Sequence, residues 1–314
     1  MPQHVTAGLD GSAESAAAAE WAAREALLRE VSLRLVLVAD PPDPPRRGPD
    51  EGDAVDDVLA GTARALQGRH PGLEVRTQRL SGRPPAVLAR EAATSELVVL
   101  GSRGLGSVRG FLLGSVAMAT IIGTDRPVVL VRPGHEPRTQ AYAEERAYAE
   151  GPPSAEPHAK GGPRPARSGA VAGTAGPVVV GVDVHDACEP VLDFAFAEAA
   201  LRGGRLRAVH SWSLPPFGRD ALALDMALQE MRPDVVRQLR NVLAPWRQKY
   251  PSVDVVELTP VGGVSEQLLH AADGAALVVV GRRIRTGRVG AHVGPVTHAV
   301  IHHCGAPVAV VAHA

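Results

Sequence analysis

The chain has 314 residues, enough for two domains of ordinary size, and 45% of them are hydrophobic, which suffices for real cores. A formal charge of −1 and an aromatic content of 3% exclude a general nucleic-acid binder, which needs a basic excess, and a stacking platform for single strands. Cys188 and Cys304 are the only cysteines, which excludes a disulfide-rich scaffold and a four-cysteine zinc site.

Val5 to Asp10 reads as a short strand ending in an acidic residue. Ser12 is placed to N-cap an alanine-rich helix whose inward positions are expected at Trp21, Ala22, Leu27 and Leu28. The run Leu33 to Ala39 is a second strand, and the Pro-rich, then acidic, stretch 41–57 an exposed connection. Val55, Val58, Leu59, Ala63 and Leu66 recur at helical spacing. Val75 to Leu80 is a third strand, and Ser81-Gly-Arg-Pro-Pro turns into a helix with proline in its first turn. Leu97 to Leu100 is an apolar run too short for a helix and bounded by glycine, hence a buried parallel strand. A glycine-rich loop follows, then a helical pattern from Gly114-Ser115 to Gly123, and a last strand at Val128 to Val131 behind Pro127. The alternation of strand and helix predicts a mostly parallel sheet with right-handed crossovers.

The same pattern then repeats. Val178 to Asp183 matches Val5 to Asp10 with a displacement of 173 positions, and Gly82, Gly101, Gly114 and Pro127 recur 180 positions later as Gly262, Gly281, Gly294 and Pro307. Two homologous domains are therefore expected, at 1–134 and 177–314. Between them, 135–176 is rich in Pro, Gly, Ala, Glu and Arg and poor in branched apolar residues, the composition of a flexible linker. Tyr142 to Tyr148 within it is a candidate transient helix.

The stretch Leu97 to Pro133 carries the chemistry. Strand, glycine loop, helix and strand in that order can aim the backbone N–H groups of a helix N-terminus at a phosphate. Lys160 and Lys249 are the only lysines, so the loop is not a Walker A P-loop, and phosphates must be held by backbone N–H groups, hydroxyls and arginine. Gly101 lets the chain leave the strand and Gly104 lets the backbone approach a phosphate closely. Ser115 offers a hydroxyl and Val116 an N–H, while Arg103 and Arg109 can neutralise charge. A glycine-rich surface loop without a ligand is the competing reading, and Asp10 could equally serve as a helix cap. In the second copy Ile284 stands where Gly104 does and Pro295 where Ser115 does, replacing close approach by a branched side chain and removing a hydroxyl and a donor. Asp183, Arg282, Arg283, Arg285 and Arg288 remain there and could restore part of the charge. His298 and His302 are spaced to share a helix face with His292 and His303 nearby, but lack accompanying ligands in a metal-site pattern. No Gly-x-Ser-x-Gly elbow, His-Glu-x-x-His motif or positioned carboxylate pair occurs.

The spacing Gly101-x2-Gly104-x9-Gly114-Ser115 in its strand context resembles the ATP-binding signature of the universal stress protein family, and the resemblance covers about 3–133 and 176–313. It implies a tandem α/β fold, each domain a doubly wound five-stranded parallel sheet of order 3-2-1-4-5 with helices on both faces. It implies pairing of the last strands, so that the two domains form an internal pseudo-dimer, and it allows a homodimer. It assigns Asp10 to the adenine and ribose and the Val38 backbone to the adenine edge. The candidate nucleotide-binding set is Gly8, Asp10, Val38, Gly101, Ser102, Arg103, Gly104, Gly106, Ser107, Gly114, Ser115 and Val116, with no catalytic and no metal-binding residue assigned. The expected ligand is ATP, with or without Mg²⁺, or another adenine nucleotide, bound by the first domain, the second carrying a degenerate signature. The implied role is a nucleotide-dependent stress-response sensor or regulator without dedicated catalysis. The alternatives are a slow ATPase or nucleotidyl-transfer enzyme, and a protein-interaction module that binds no nucleotide. No apolar leader precedes Val5 and no run approaches a membrane span, so a cytoplasmic chain with neither membrane nor nucleic-acid partner is expected.

Overall fold

The computed structural model describes residues 4–39, 50–102, 113–134, 176–213, 221–284 and 293–314. The linker stretch through 175, with its candidate helix, falls outside them. The first half runs β1 (His4–Leu9), α1 (Ala13–Leu28), β2 (Ser32–Ala39), α2 (Asp50–Arg69), β3 (Val75–Ser81), α3 (Pro84–Ala92), β4 (Val98–Gly101), α4 (Ser115–Gly123) and β5 (Val128–Val131). The second runs β6 (Val178–Gly181), α5 (Glu189–Leu201), β7 (Arg205–Val209), α6 (Ala221–Lys249), β8 (Asp254–Leu258), α7 (Val264–Ala271), β9 (Leu277–Arg283), α8 (Pro295–His303) and β10 (Val308–His313). Helix α2 starts inside the stretch expected as an exposed connection.

All ten strands form one sheet of order β3-β2-β1-β4-β5-β10-β9-β6-β7-β8. Every pairing is parallel except that of β5 with β10. Parallel strands need both faces covered, and their period of two divides the apolar residues between two cores. Val99, Val129, Val279 and Ala309 face a core shared with α1, α2, α5 and α6. Val98, Val128, Val278 and Val308 face the other, shared with α3, α4, α7 and α8. Each core runs continuously through both halves.

The inner face of α1 carries Ala22 and, packed at its edge, Trp21 as expected, but not Leu27 and Leu28. Leu27 and Leu28 are 40% and 45% exposed, whereas Ala18, Ala19, Ala22, Ala23 and Ala26 are fully buried. A strip of alanines lets the helix axis sit close to the sheet, and the bulkier leucines are left outside. Ser12 does cap the helix, its Oγ accepting the Ser15 N–H at 3.1 Å.

The junction of the halves is made at three levels. In the sheet, Val128, Val129 and Leu130 pair antiparallel with Val310, Ala309 and Val308, all six buried. On one face, Glu25 and Arg29 of α1 meet Glu198 and Arg202, which lie at the carboxyl end of α5 and 173 positions further along. Arg29 bonds Glu25 at 2.7 Å and Glu96 at 3.1 Å, and it also pairs with Glu198. Arg202 pairs with both Glu198 and Glu25. The result is a closed ring of two carboxylates and two guanidiniums, each half giving one of each, with both glutamates only 1% exposed. On the opposite face, Arg132 donates to the carbonyls of Ile301 and His302 at 3.0 and 2.6 Å, at the end of α8. Arg282 donates to that of Thr124 at 2.8 Å, at the end of α4. Both arginines satisfy helix carbonyls that have no partner within their own helix.

Burial penalises the ionised form of Glu198 and, with repulsion from Glu25, outweighs the pull of Arg202 and Arg29, raising its pKa from the ordinary 4.5 to about 7. Between those values the folded chain holds a proton that the unfolded chain has released. This group's contribution to stability is therefore complete below about pH 4.5 and is lost as the pH rises towards 7. Urea midpoints at about pH 5.5 and 8 should show the wild type losing on the order of 2 kcal/mol relative to Glu198→Gln across that interval. Parallel pH profiles would contradict the assignment.

Candidate functional site

The carboxyl ends of β1 and β4 form the crevice at which a doubly wound sheet places ligands, because β2 continues the sheet on one side of β1 and β4 on the other. Gly8 lies in β1, where a Cβ would fall 2.6 Å from Leu100 Cδ2, so a side chain there would displace the end of Leu100. Asp10 follows the strand. Its Oδ1 accepts the Ser12 N–H at 3.0 Å and the Ser12 O–H at 2.5 Å, while its own N–H approaches Ser15 Oγ at 3.4 Å. Asp10 is exposed at the mouth of the crevice, and its hold on Ser12 makes it part of the α1 cap as well. Val38 is the penultimate residue of β2, opposite Leu80 of β3, and is half-buried.

Gly101 ends β4 opposite Val131. A Cβ there would stand 2.8 Å from the Glu14 carbonyl carbon and 2.9 Å from the Ser15 nitrogen, so glycine is what allows the first turn of α1 to press on the strand end. Ser102 is buried; its N–H donates to Val131 at 2.9 Å and its carbonyl accepts the Gly114 N–H at 3.0 Å. That last bond ties the two ends of the glycine loop together and sets the start of α4 beside the strand end. Gly114 is the N-cap, extended at φ −64° and ψ 141°, with no side-chain cap. Ser115 and Val116 occupy the first turn, where N–H groups have no acceptor within the helix, and Ser115 is exposed. Gly8, Asp10, Gly101, Ser102, Gly114, Ser115 and Val116 are thus brought to one end of β1 and β4, with Val38 on the strand beside them. Arg103, Gly104, Gly106 and Ser107 lie outside the described residues, as does Arg109.

In the second half the equivalent strand ends open into a cleft with two lobes. The wider, about 740 Å³, is lined by Asp183, His210, Ser211, Trp212, Val235 and Gln238 among others. The narrower, about 440 Å³, reaches Asp186, Cys188, Arg283 and Pro295. Gly181, Val182, Asp183, Gly281, Val296 and Thr297 border both. Two of the arginines expected to restore charge here are engaged elsewhere. Arg282 is 3% exposed and committed to Thr124 across the junction, and Arg283 pairs with Asp186. Arg285, Arg288 and His292 lie outside the described residues. The His298 and His302 rings stand 4.3 Å apart, and among the described residues no group of three ligating side chains could hold a metal.

Some of this was unmarked in the sequence. His210, Asp234 and Gln238 line the cleft without any motif, and Gln238 comes from a helix whose register cannot be anchored by local spacing. The ion ring did have a signal: Glu25-Ala-Leu-Leu-Arg29 and Glu198-Ala-Ala-Leu-Arg202 repeat at the displacement of the first strands.

A family model described as the universal stress protein family matches residues 1–132 and 175–312. The chain belongs to the universal stress protein family. Universal stress protein Rv1996 of Mycobacterium tuberculosis is 32% identical over 336 residues, covering 98% of this chain and 94% of that protein. Universal stress protein Mb2028c of Mycobacterium bovis is 29% identical, covering 98% and 97%. These relatives span both halves, so the tandem arrangement is common to them. The crystal structure of a universal stress protein from Archaeoglobus fulgidus superposes over all of both chains with a TM-score of 0.64 at 15% identity, a likeness of fold. Among the described residues no helix is long and apolar enough to cross a membrane.

The contact at Gly101 yields a stability prediction. Gly101→Ala drives a methyl into the α1 backbone and should cost about 1–3 kcal/mol. Gly61→Ala in helix α2, where a Cβ meets nothing within 4 Å, should stabilise by about 0.5–1 kcal/mol. Chemical denaturation of the two variants measures both.

Proposed function

We propose that this universal stress protein binds one adenine nucleotide, ATP in the first instance, at the crevice of its first half, and that it acts as a nucleotide-dependent stress-response regulator. The observation that carries the reading is the start of α4: a glycine N-cap with no side chain of its own, an exposed Ser115 hydroxyl, and first-turn N–H groups, all held at the strand ends by the Ser102–Gly114 bond. A helix start of this kind favours an anion by roughly 0.3–1 kcal/mol, more when partly buried. The donor set therefore fits a phosphate group without needing a lysine. Ser115 and the N–H groups of Ser115 and Val116 would hold phosphate. Asp10 at the mouth would accept from the ribose, and the Val38 backbone would meet the base. We take 1–134 and 177–314 as the two functional units, with 135–176 as their connection.

In the second half Pro295 removes the first-turn donor that Ser115 supplies in the first, and Arg282 is spent on the junction. Each lost hydrogen bond to a charged group weakens binding by roughly one to two factors of ten. Titration calorimetry of the full chain with ATP should give a stoichiometry near one. Gly114→Val and Ser115→Pro should each reduce the affinity by about ten- to a hundredfold with the melting temperature unchanged. Unaltered affinity in a folded variant would refute the site, and a stoichiometry near two would refute its confinement to the first half. Single-turnover phosphate release, compared with Asp10→Ala, separates a regulator from a slow ATPase.

A further inference from the structure

The ring of Glu25, Arg29, Glu198 and Arg202 gathers more negative charge than positive. Glu96 also bonds Arg29, at 3.1 Å, so three carboxylates share two guanidiniums. Arg29 and Arg202 are the C-caps of α1 and α5, so the negative ends of two helix dipoles meet at the same point. The place is poorly solvated: both ring glutamates are 1% exposed, and the side chains of Arg202 and Arg29 are 6% and 14% exposed. The Trp21 ring lies against Arg202, its centroid 5.8 Å from the guanidinium carbon. Excess negative charge in such surroundings is relieved by taking up one proton. Glu198 is the acid that carries it, burial outweighing the pull of Arg202 and raising its pKa to about 7.

The charged groups on the surrounding turns are engaged elsewhere. Glu20 of α1 pairs with Arg24, Arg69 and His70, and Asp193 of α5 with Lys249 and Tyr250. Glu30 follows Arg29 and is exposed. His4, whose carbonyl accepts the Glu96 N–H at 3.0 Å, is held below the usual histidine range by burial. The strand residues beneath, Val129, Val131, Ala309 and Val311, are apolar.

The opposite face of the junction is held differently. There Arg132 donates to the carbonyls of Ile301 and His302, and Arg282 to that of Thr124. These bonds join a guanidinium to a backbone carbonyl, and neither titrates near neutrality. The titratable side chains on that face are His298, His302, His303, Cys304 and Asp125. Burial raises Cys304 to about 11, and Asp125 stands 3.8 Å from Arg282 and is 80% exposed. Between the two faces, β5 and β10 pair through six buried apolar residues.

We infer that the ring is a proton-held latch on one face of a hinge. With the proton in place it binds the carboxyl ends of α1 and α5 together. When Glu198 releases that proton to solvent, those ends part, while β5, β10 and the two arginine bonds stay closed. The chain thus answers a rise in pH by opening one face of its junction, whatever ligand its crevices hold.

Hydrogen exchange of the full-length chain at pH 5.5 and 8, corrected for the intrinsic rate, tests the latch. Segments 25–29 and 198–202 should lose protection by about ten- to thirtyfold at pH 8, as a carboxyl of pKa about 7 closed and 4.5 open requires. The opening exposes little surface, so low urea should not accelerate it, and β5 and β10 should remain better protected at both pH values. Glu198→Gln has no proton to lose and should show no such change. Glu25→Gln removes the neighbouring negative charge and should lessen it. A wild type without the change overturns the inference, as does a change that neither variant diminishes. Helix ends that exchange only together with β5 and β10 would leave a pH-dependent stability but no hinge, and also overturn it.

Discussion

The antiparallel pairing of β5 with β10 is the constraint on which the rest of the architecture depends. Each strand is the last of its half, apolar on both faces, and would otherwise present a row of unpaired backbone groups. Pairing them makes one sheet of two, and it sets α1 beside α5 on one face and α4 beside α8 on the other. The ion ring and the two arginine caps follow from that placement. Buried ion pairs are a weak source of net stability, because desolvation offsets much of the Coulomb attraction. Their value here is in specifying the arrangement: a slip of the junction would leave Glu25 and Glu198 each with one guanidinium in place of two. Glu96, which has Ala276 as its counterpart, adds a third carboxylate to the ring on the side of Arg29 alone.

The junction also explains how two copies of one fold come to differ at their sites. Arg282 stands at the position of Ser102, whose backbone in the first half bonds Val131 and Gly114. In the second half the side chain at that position holds the end of α4, and its guanidinium is buried in the interface. Pro295 and the inward-turned Thr297 complete the change at the helix start. The two ends of α4 thus serve different purposes: its first turn faces the crevice of its own half, and its last carbonyl is bound by the other half.

Much of the fold was legible because the apolar runs are short, bounded by glycine and proline, and repeated at steady displacement. The limits of β5 and α4 agree with the pattern of Val128 to Val131 and Gly114 to Gly123 for that reason. Leu27 and Leu28 of α1 were misread as inward because leucine is the larger apolar residue, whereas the buried strip of the helix is alanine. The gathering of Gly101, Ser102, Gly114 and Ser115 at one strand end was legible because it depends on backbone and glycine, which leave a sequence signature. The second-half cleft was not, since His210, Asp234 and Gln238 reach it from separate elements without a motif.

The separation of β5 from β10 along the chain has a consequence for synthesis. Val131 and Val308 are 177 positions apart, and at synthesis rates of about 5–20 residues per second the ribosome needs about 10–35 s to cover that distance. During that interval the first half can fold, but its last strand remains an open apolar edge with no partner yet made. On a polysome the neighbouring nascent chains expose the same edge, and β5 of one is the right partner for β10 of another. Correct assembly is therefore a race between intrachain closure and strand exchange with a neighbour. The tether from 132 to 307 biases it toward closure, since it holds β10, once made, at high local concentration near its own β5.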